Sequence, residues 1–249
     1  MLKKFPYTSI VSLVPSLTEL LFSFGLGHFI KGRTKFCIHP VIEVMDVPVI
    51  GGTKNPNIDK IKKLKPDIVI ANKEENRKED IEELEKFTKV VVTEIKTVEE
   101  AISWIEELGK ILNTEDKAEH ILQNIKWKLE EKQENYPPKK TAYLIWREPW
   151  MSIGNDTYIH DVMAKYGLVN IFSGEERYPE FDLDELADKE PELILLSSEP
   201  FPFKQEHIQE IKRFCPDTEI QLVDGEWFSW YGSRMVEAFS KLNDWRQRW

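Results

Sequence analysis

The sequence is poor in cysteine, in basic charge and in long apolar runs. Its two cysteines, Cys37 and Cys215, are too far apart for the closely spaced ligands of a zinc site, and they provide no disulfide framework. Acidic residues outnumber basic ones by 44 to 34, and the resulting net charge of −10 argues against nucleic-acid binding. Because no apolar run reaches about 18 residues, the sequence predicts no membrane span.

Several motifs of catalysis, nucleotide binding and export are also missing. The stretch Gly51-Gly52-Thr53-Lys54 lacks the spacing of a phosphate-binding loop, and no G-x-G-x-x-G occurs. No nucleophile elbow or Ser-His-Asp set is visible. The N-terminal stretch MLKKFPYTSIVSLVP has only a short apolar run and no small-residue cleavage site, so it does not read as a signal peptide. The sequence as given therefore predicts a cytoplasmic protein, or a periplasmic or cell-envelope protein if an export signal has been removed.

Short β-branched segments alternate with helix-length segments along the whole chain. This alternation is typical of parallel α/β units, in which a helix follows each strand. Ser16 and Glu19 predict a capping box at the start of the first helix. The predicted strands cover residues 8–13, 28–31, 47–50, 67–71 and 89–93 in the first half, and 141–146, 193–195 and 219–223 in the second.

Residues 114–138 predict one long helix near the middle of the chain. Thr114 is a candidate N-cap, acidic residues occupy the first turn, and Tyr136-Pro137-Pro138 ends the segment. Apolar residues from Ala118 to Leu129 recur at helical spacing and form one narrow stripe. Alone, this pattern fits a surface helix of a single domain as well as a rigid strut between two lobes.

A repeat on the two sides of this helix favours two lobes. With a constant offset of 125 residues, the segment NIDKIKKLKPDIVIAN at 57–72 aligns with DLDELADKEPELILLS at 182–197. The order of cap, helix and strand is common to α/β units, but the proline and the acids agree in phase as well. We therefore predict an N-terminal α/β lobe at 1–113, a connecting backbone helix at 114–138 and a C-terminal α/β lobe at 139–249.

Candidate ligand-binding residues lie in the loops that follow the predicted strands. In parallel α/β sheets, ligands bind beyond the carboxyl ends of the strands. These loops are rich in charged residues in the first half and in aromatic residues in the second, so they could hold polar groups and stack on a flat ligand. The predicted ligand-binding residues are Lys35, Cys37, Gly52, Thr53, Lys54, Glu74, Glu75, Trp146, Arg147, Trp150, Glu199, Phe201, Phe203, Trp227, Phe228, Trp230, Tyr231 and Arg234.

Each part of this set has an alternative interpretation. The aromatic residues could be core packing, and the charged residues could form salt bridges on a solvated surface. Cys37 and His39 could be metal ligands, but two ligands are too few for a site, so no metal site is predicted. Glu74, Glu75 and Glu199 could form a paired-carboxylate acid–base site. Charged loops are commonly only solvated, however, and no catalytic residue is predicted.

Asp59 and Asp184 occupy equivalent positions in the two repeats. Each lies two residues after the predicted cap of its helix, where the helix dipole favours negative charge. The two acids could serve only the helices. They could also form a pair of acidic contacts, one in each lobe, for a symmetric basic partner.

Three stretches of the chain resemble a known family: SIVSLVPSLTELLFSFGLG, GGTKNPNIDKIKKLKPDIVIAN and DGEWFSWYGSRMVEA. They are similar to the helical-backbone periplasmic substrate-binding proteins of cobalamin, siderophore and haem importers, with the cobalamin-binding members the most similar. The resemblance covers nearly the whole chain. It implies two Rossmann-like parallel α/β lobes joined by one long rigid helix, with the ligand cleft between the lobes. In the cobalamin-binding members one acid on each lobe meets arginines of the permease, and Asp59 and Asp184 match those positions.

The resemblance implies the substrate-binding protein of an ABC-type importer, without enzymatic activity. The implied ligand is cobalamin, another corrinoid or a different metal chelate such as haem or a ferric siderophore, and no resident cofactor is expected. The expected partners are this ligand and an ABC permease, and the chain is expected to be a monomer without a membrane span. The alternative is a cytoplasmic bilobal enzyme or sensor of the same fold that handles a tetrapyrrole or a metal.

Overall fold

The chain folds into two compact α/β units. The computed structural model describes residues 5–132 and 136–248. Unit 1 comprises Met1–Ile95, Glu99–Trp127 and Tyr231–Val236, and unit 2 comprises Lys96–Val98, Lys128–Trp230 and Glu237–Trp249. Most of unit 1 therefore comes from the first half of the sequence and most of unit 2 from the second. The division into domains at residues 114 and 139 stays a prediction.

Unit 1 is built on a four-stranded parallel sheet. Its strands are β1 (Ile10–Ser12), β2 (Ile30–Arg33), β3 (Ile68–Asn72) and β4 (Lys89–Thr93), in the spatial order β2-β1-β3-β4. Its helices are α1 (Pro15–Ser23), α2 (Ile58–Leu64), α3 (Lys78–Glu85) and nearly all of α4 (Val98–Leu112), followed by α5 (Glu115–Glu131), which begins in unit 1 and ends in unit 2. Val69 and Ala71 of β3 pack in one core with Ile61 of α2 and Leu84 of α3. Buried β-branched residues on β3 suit a strand that is covered on both faces.

Unit 2 repeats this plan and adds a short antiparallel pair. Its strands are β5 (Lys139–Leu144), β6 (Trp150–Met151), β7 (Leu168–Asn170), β8 (Glu180–Phe181), β9 (Leu193–Ser197) and β10 (Glu219–Val223). Its helices are α6 (Tyr158–Lys165), α7 (Leu183–Asp188), α8 (Gln205–Ile211), α9 (Glu226–Ser229) and α10 (Met235–Arg246), whose first residues belong to unit 1. The parallel sheet has the order β7-β5-β9-β10, while β6 pairs only with β8.

The two parallel sheets have the same topology. In each, the first strand in sequence pairs with the second on one side and the third on the other, and the fourth strand lies beyond the third. Helices α2 and α7, which precede the third strands, are also capped alike. Asn57 Oδ1 accepts from Lys60 N at 2.8 Å, and Asp182 Oδ1 accepts from Glu185 N at 2.8 Å. The repeat in the sequence is thus a repeat in topology and in helix capping.

An acidic residue at the start of the third strand ties it to the first strand in both units. Asp67 Oδ2 accepts from the backbone N–H groups of Thr8 at 2.8 Å and Ser9 at 2.9 Å. Glu192 Oε2 accepts from Lys140 N at 2.7 Å. Asp67 and Glu192 occupy the same position in the two repeats. The match has a physical reason, because each carboxylate satisfies backbone donors at the start of a neighbouring strand.

A threonine before the fourth strand makes a second shared tether. Thr88 Oγ1 donates to the carbonyl of Pro66 at 2.8 Å, and Thr218 Oγ1 donates to the carbonyl of Pro191 at 2.9 Å. Pro66 and Pro191 therefore have two roles. Each follows the end of its helix, and its carbonyl accepts the hydrogen bond that anchors the next strand.

Removal of either cap is expected to destabilise its own unit by about 1 kcal/mol. The variants are Asn57→Ala for α2 and Asp182→Ala for α7, because alanine leaves the first-turn N–H group without an acceptor. Urea unfolding of each variant measures the loss. Serine at the same positions keeps an acceptor and serves as the control, so equal losses for alanine and serine would contradict a capping role.

Three local predictions in unit 1 need correction. The predicted capping box of Ser16 and Glu19 does not form, since α1 begins at Pro15 and its N-cap position has no side-chain hydrogen bond. Proline suits the first helical position, where no donor is needed. The predicted strand at residues 47–50 forms only a single bridge, between Arg33 and Val49. The predicted strand at 28–31 begins instead at Ile30, because Gly27–Phe29 forms a 3-10 turn.

The long helix is shorter than predicted. α5 has 17 residues and ends at Glu131, before the predicted end at residues 136–138. Thr114 stands at its N-cap position, but its buried hydroxyl has no hydrogen-bond partner within the described residues, so the predicted side-chain cap is wrong. Residues 133–135 of the predicted helix lie outside the described residues, as do residues 1–4 of the N-terminal stretch.

Candidate functional site

Each of the two parallel sheets has a carboxyl edge, formed by the loops that follow its strands. This is the edge at which parallel α/β sheets bind ligands. In unit 1 the edge is formed by the loops after β1 to β4, and in unit 2 by the loops after β5, β7, β9 and β10. The predicted binding residues divide between these two edges.

Unit 2 carries an aromatic cluster on the segments that follow β5 and β9, which include β6 and the start of α8. It consists of Trp146, Trp150, Phe201, Phe203 and His207. The rings of Trp150 and Phe203 lie parallel with centroids 5.9 Å apart, and Trp146 meets Phe201 edge-on at 5.8 Å. Phe201 and Phe203 are 4.8 Å apart. Trp146 is 40% exposed, whereas Phe203 is buried, so the cluster has a packed base and an open indole.

Arg147 lies beside this cluster with its charge already paired. Its Nε and Nη2 donate to the two carboxylate oxygens of Glu210 at 3.1 and 3.2 Å, and its Nη1 donates to Glu148. Its guanidinium also lies 5.7 Å from the ring centroid of Trp150. This fork-like pairing holds the guanidinium against the aromatic cluster. The role of Arg147 as a ligand contact stays a prediction.

The other aromatic residues of the predicted set are more buried. Phe228 has no exposed surface and packs against Tyr143, with centroids 5.0 Å apart, and against Trp245. Trp230 in unit 2 and Tyr231 in unit 1 are buried as well, while Trp227 is half-buried. Phe228 is therefore a core residue, which matches the alternative interpretation of the aromatic residues as core packing.

Glu199 connects the loop after β9 to α9. Its Oε1 accepts from Ser229 Oγ at 2.7 Å and from Trp230 Nε1 at 2.8 Å. Burial raises the pKa of this carboxyl, and the nearby carboxylates of Glu226 and Asp224 raise it further, although the two hydrogen bonds act in the opposite direction. Glu199 thus holds the buried indole of Trp230 in place.

Replacement of Glu199 with glutamine is expected to raise the unfolding temperature at pH 7. The pKa of Glu199 is raised in the folded state, so the folded protein holds this proton more tightly than the unfolded chain. That stabilisation is complete below the unfolded pKa of about 4.3 and is lost as the pH rises through the folded pKa. Glutamine imitates the protonated form and keeps the acceptor oxygen.

Thermal unfolding at pH 7 and at pH 4 measures this effect. The gain should be present at pH 7 and should shrink toward pH 4, where the wild-type carboxyl becomes protonated. Glu206→Gln is the matched control, because Glu206 on α8 is exposed and we expect no such gain there. A gain for Glu199→Gln that is equal at both pH values would contradict the burial argument.

In unit 1 two buried asparagines, missed in the sequence, organise the carboxyl edge. Asn76 Oδ1 accepts from Asn72 N at 2.9 Å, and its amide donates to the carbonyl of Thr53 at 3.0 Å. Asn72 Oδ1 accepts from Glu74 N at 2.7 Å, and its amide donates to Thr93 Oγ1 at 2.9 Å. The sequence did contain a signal for them, because Asn72 is the last residue of β3 and a second asparagine follows four residues later. They join the loops that carry Thr53 and Glu74.

The loop around Gly52 is held in the same way. A side chain at Gly52 would meet the amide oxygen of exposed Asn55, which would have to move aside. Lys54 Nζ donates to the carbonyl of Glu74 at 2.5 Å, while Glu74 and Glu75 are both half-buried. The structure therefore brings Gly52, Thr53, Lys54, Glu74 and Glu75 of the predicted set together on one edge.

Cys37 is a buried thiol of the loop after β2. Its Sγ lies 3.0 Å from Thr18 Oγ1 and 3.2 Å from Thr34 Oγ1. Burial raises the pKa of the thiol, which keeps it protonated. His39 nearby is half-buried. Within residues 5–132 and 136–248, no three His, Cys, Asp or Glu side chains are grouped as a metal site would require.

The remaining charged residues of the predicted set are Lys35 and Arg234. Lys35 is exposed, and its Nζ lies 4.9 Å from the ring centroid of Phe36. Arg234 donates from Nε and Nη2 to the two carboxylate oxygens of Glu19, both at 2.8 Å. This bidentate pair lies within unit 1 and joins its residues 231–236 to α1. Glu19, predicted as part of a capping box, is thus an ion-pair partner.

Asp59 and Asp184 are exposed at equivalent sites. Asp59 is the second residue of α2 and Asp184 the second residue of α7, each two positions after the cap residue described above. Both side chains are exposed, one in each unit. In the part of the chain that the structure describes, no helix is both long and apolar enough to cross a membrane.

Comparison with known proteins gives concordant matches. A family model described as periplasmic binding protein matches residues 10–214. The vitamin B12-binding protein of Vibrio cholerae is 25% identical over 201 residues, which cover 78% of this chain and 72% of that protein.

Solved structures match the fold over almost the whole chain. The periplasmic vitamin B12 binding protein BtuF of Vibrio cholerae matches with a TM-score of 0.84 at 21% identity, covering 98% of both chains. The periplasmic heme-binding protein RhuT from Roseiflexus sp. RS-1 matches with a TM-score of 0.83 at 17% identity, covering 96% of this chain and 98% of that one. The predicted two-lobe α/β fold is therefore confirmed.

Proposed function

The chain belongs to the periplasmic binding protein family, and we propose on this basis that it is the substrate-binding protein of an ABC-type importer. Its ligand in this proposal is a metal chelate, with cobalamin or another corrinoid first and haem or a ferric siderophore next. Relatives named for vitamin B12 and heme binding support this ligand class. The predicted alternative, a cytoplasmic enzyme or sensor, has no comparable support.

The observation that carries the proposal is the aromatic cluster with its open indole at the carboxyl edge of unit 2. A flat macrocycle can stack on Trp146 and replace the water that now covers it, a contact that does not depend on the sign of the ligand's charge. Phe201 packs edge-on against this indole, and Trp150 stacks on Phe203 in the same cluster. Of the remaining predicted contacts, Lys35, Lys54 and Glu74 are proposed to hold polar groups of the ligand, and Trp227 is proposed to stack on its ring.

Binding alone accounts for this role, and we propose no covalent step and no resident cofactor. The ligand is cargo, which the protein must release, so moderate contacts spread over many side chains serve better than a bond to one nucleophile. The protein is proposed to act as a monomer in the periplasm or cell envelope, where it would deliver its ligand to an ABC permease. Asp59 and Asp184 are the proposed permease contacts.

Titration with cyanocobalamin, haemin and a ferric siderophore tests the proposal. Visible absorbance reports the chelate, and quenching of tryptophan fluorescence reports the protein. Saturable binding of at least one of the three ligands is expected, and binding of none would overturn the proposal.

Trp146→Ala is expected to weaken binding of that ligand at least tenfold, or about 1.4 kcal/mol. The loss follows from removing the open face of the aromatic cluster. Trp127→Ala is the matched control, because Trp127 is also exposed but belongs to helix α5 and not to a loop that follows a strand. Equal affinities for the Trp146 variant and the wild type would place the binding surface elsewhere.

A further inference from the structure

Helices α2 and α7, which the repeat relates, carry opposite charges around the two proposed permease contacts. From Asn57 to Asp67 the sequence has four lysines and two acids, whereas from Asp182 to Glu192 it has six acids and one lysine. At the constant offset of 125 residues, lysines of the first repeat align with acids of the second in three pairs: Lys60 with Glu185, Lys63 with Asp188, and Lys65 with Glu190. All six side chains are exposed. The two surfaces therefore differ in sign, although the elements beneath them are alike.

The contrast is sharpest one turn after each proposed contact. Lys63 lies four residues after Asp59, and Asp188 lies four residues after Asp184, so each shares a helix face with that acid. Within the residues that the structure describes, neither Lys63 nor Asp188 forms an ion pair or a side-chain hydrogen bond. These two opposite charges are therefore available to a second molecule.

The helices themselves account for only one of the two signs. A helix dipole favours positive charge at its C-terminal end, so Lys62 and Lys63 suit the last turn of α2. The same dipole disfavours Asp188, which is the last residue of α7. Lys65 and Glu190 lie just after the two helices with nearly the same left-handed backbone, at φ values of 48° and 49°. The local backbone therefore does not select the charge at this position.

We propose that the permease which receives this protein is asymmetric, with an acidic surface on the membrane subunit that meets α2 and a basic surface on a different subunit that meets α7. The inference rests on the proposed function and on Asp59 and Asp184 as its permease contacts. Two identical subunits would present the same charges to both helices, so a surface that attracts Lys63 would repel Asp188. Like charges that meet across an interface disfavour a complex. Opposite charges at equivalent positions thus fit a partner whose two subunits differ in the same way.

Two double variants test the inference. Lys63→Asp/Lys65→Glu gives α2 the charges of α7, and Asp188→Lys/Glu190→Lys gives α7 the charges of α2. The probe is the ABC permease that tagged wild type retains from detergent-extracted membranes of its own cells, reconstituted in lipid nanodiscs. Its affinity is measured at low ionic strength, where charges are screened least.

On an asymmetric permease, both double variants should dock at least tenfold more weakly than wild type. On a permease with two identical subunits, one of the two variants should instead dock more tightly, because it would give both helices the favoured sign. The two kinds of partner therefore predict opposite results for one of the variants.

Lys117→Asp/Lys126→Glu is the matched control for the α2 variant. It reverses two exposed lysines on α5 and changes the net charge equally. Its docking should stay within about twofold of wild type. All replaced side chains are exposed, so the ligand affinity of every variant should equal that of the wild type.

Tighter docking of either double variant, or wild-type docking of both, would overturn the inference and leave the proposed function standing. A retained permease with two identical membrane subunits, or a control that loses as much as the α2 variant, would do the same. If the wild type binds a ligand but retains no ABC permease, the inference and the proposed delivery to a permease both fail. If it also binds none of the three ligands, the whole proposed function fails.

Discussion

Replacement of both Asp59 and Asp184 with lysine is expected to abolish docking to the permease and to leave ligand affinity unchanged. Each carboxylate is exposed on the first turn of a helix, held in place by a capped N-terminus. Close charge pairs across interfaces have coupling energies of about 1.5–7 kcal/mol, and lysine converts each attraction into repulsion. Loss of two such pairs corresponds to more than about a hundredfold in affinity.

Binding to the permease reconstituted in lipid nanodiscs measures this loss, with ligand titration run in parallel. The matched control is Asp116→Lys with Glu206→Lys, which reverses two exposed first-turn acids on α5 and α8 and changes net charge and helix dipoles equally. The control should dock like wild type. Similar losses in both double variants would reduce the effect to net charge, and full docking of the Asp59/Asp184 variant would contradict the proposed contacts.

The repeated elements were predictable because their signals are local. Asn57 and Asp182 cap helices within three residues, and a proline ends each helix before a buried strand. The strands at residues 89–93 and 219–223 were predicted with their observed bounds. Since the cap, the helix and the strand are each encoded over a few residues, the sequence alone indicated two similar α/β units.

The errors arose where distant residues decide the structure. Glu19 read locally as a cap partner, but its carboxylate pairs with Arg234, far along the chain. Strands β6 and β8 have two residues each and are separated by a long segment, so neither has a periodic pattern of its own. The β-branched run at 47–50 contains Pro48, which cannot donate to a ladder, and only one bridge forms.

The candidate site shows the same limit. The sequence located the loops at the strand ends, because strand positions are local information. It did not distinguish Trp146, which is exposed, from Phe228, which is buried, because burial depends on what packs against the residue. It also missed the exposure of Val41, Ile42 and Met45 in the segment after β2, since apolar residues of this kind resemble core residues until the fold leaves them in solvent.

Phe228→Ala is expected to destabilise unit 2 by about 3–5 kcal/mol. The ring has no exposed surface and packs against Tyr143 and Trp245, so its removal leaves a cavity lined by two large rings that cannot readily collapse. Urea unfolding followed by circular dichroism measures the loss. At temperatures where the variant remains folded, its ligand affinity should be close to that of the wild type.

Trp146→Ala provides the opposite control, because the indole of Trp146 is exposed whereas the ring of Phe228 is buried. Truncation of an indole that is 40% exposed removes little packing, so the cost should be below about 1 kcal/mol while ligand affinity falls. The pair thus separates the two interpretations of the aromatic residues within one unit. A Phe228 variant that is stable but does not bind the ligand would indicate that Phe228 belongs to the binding surface. A Trp146 variant that is strongly destabilised would indicate that the aromatic cluster is part of the core.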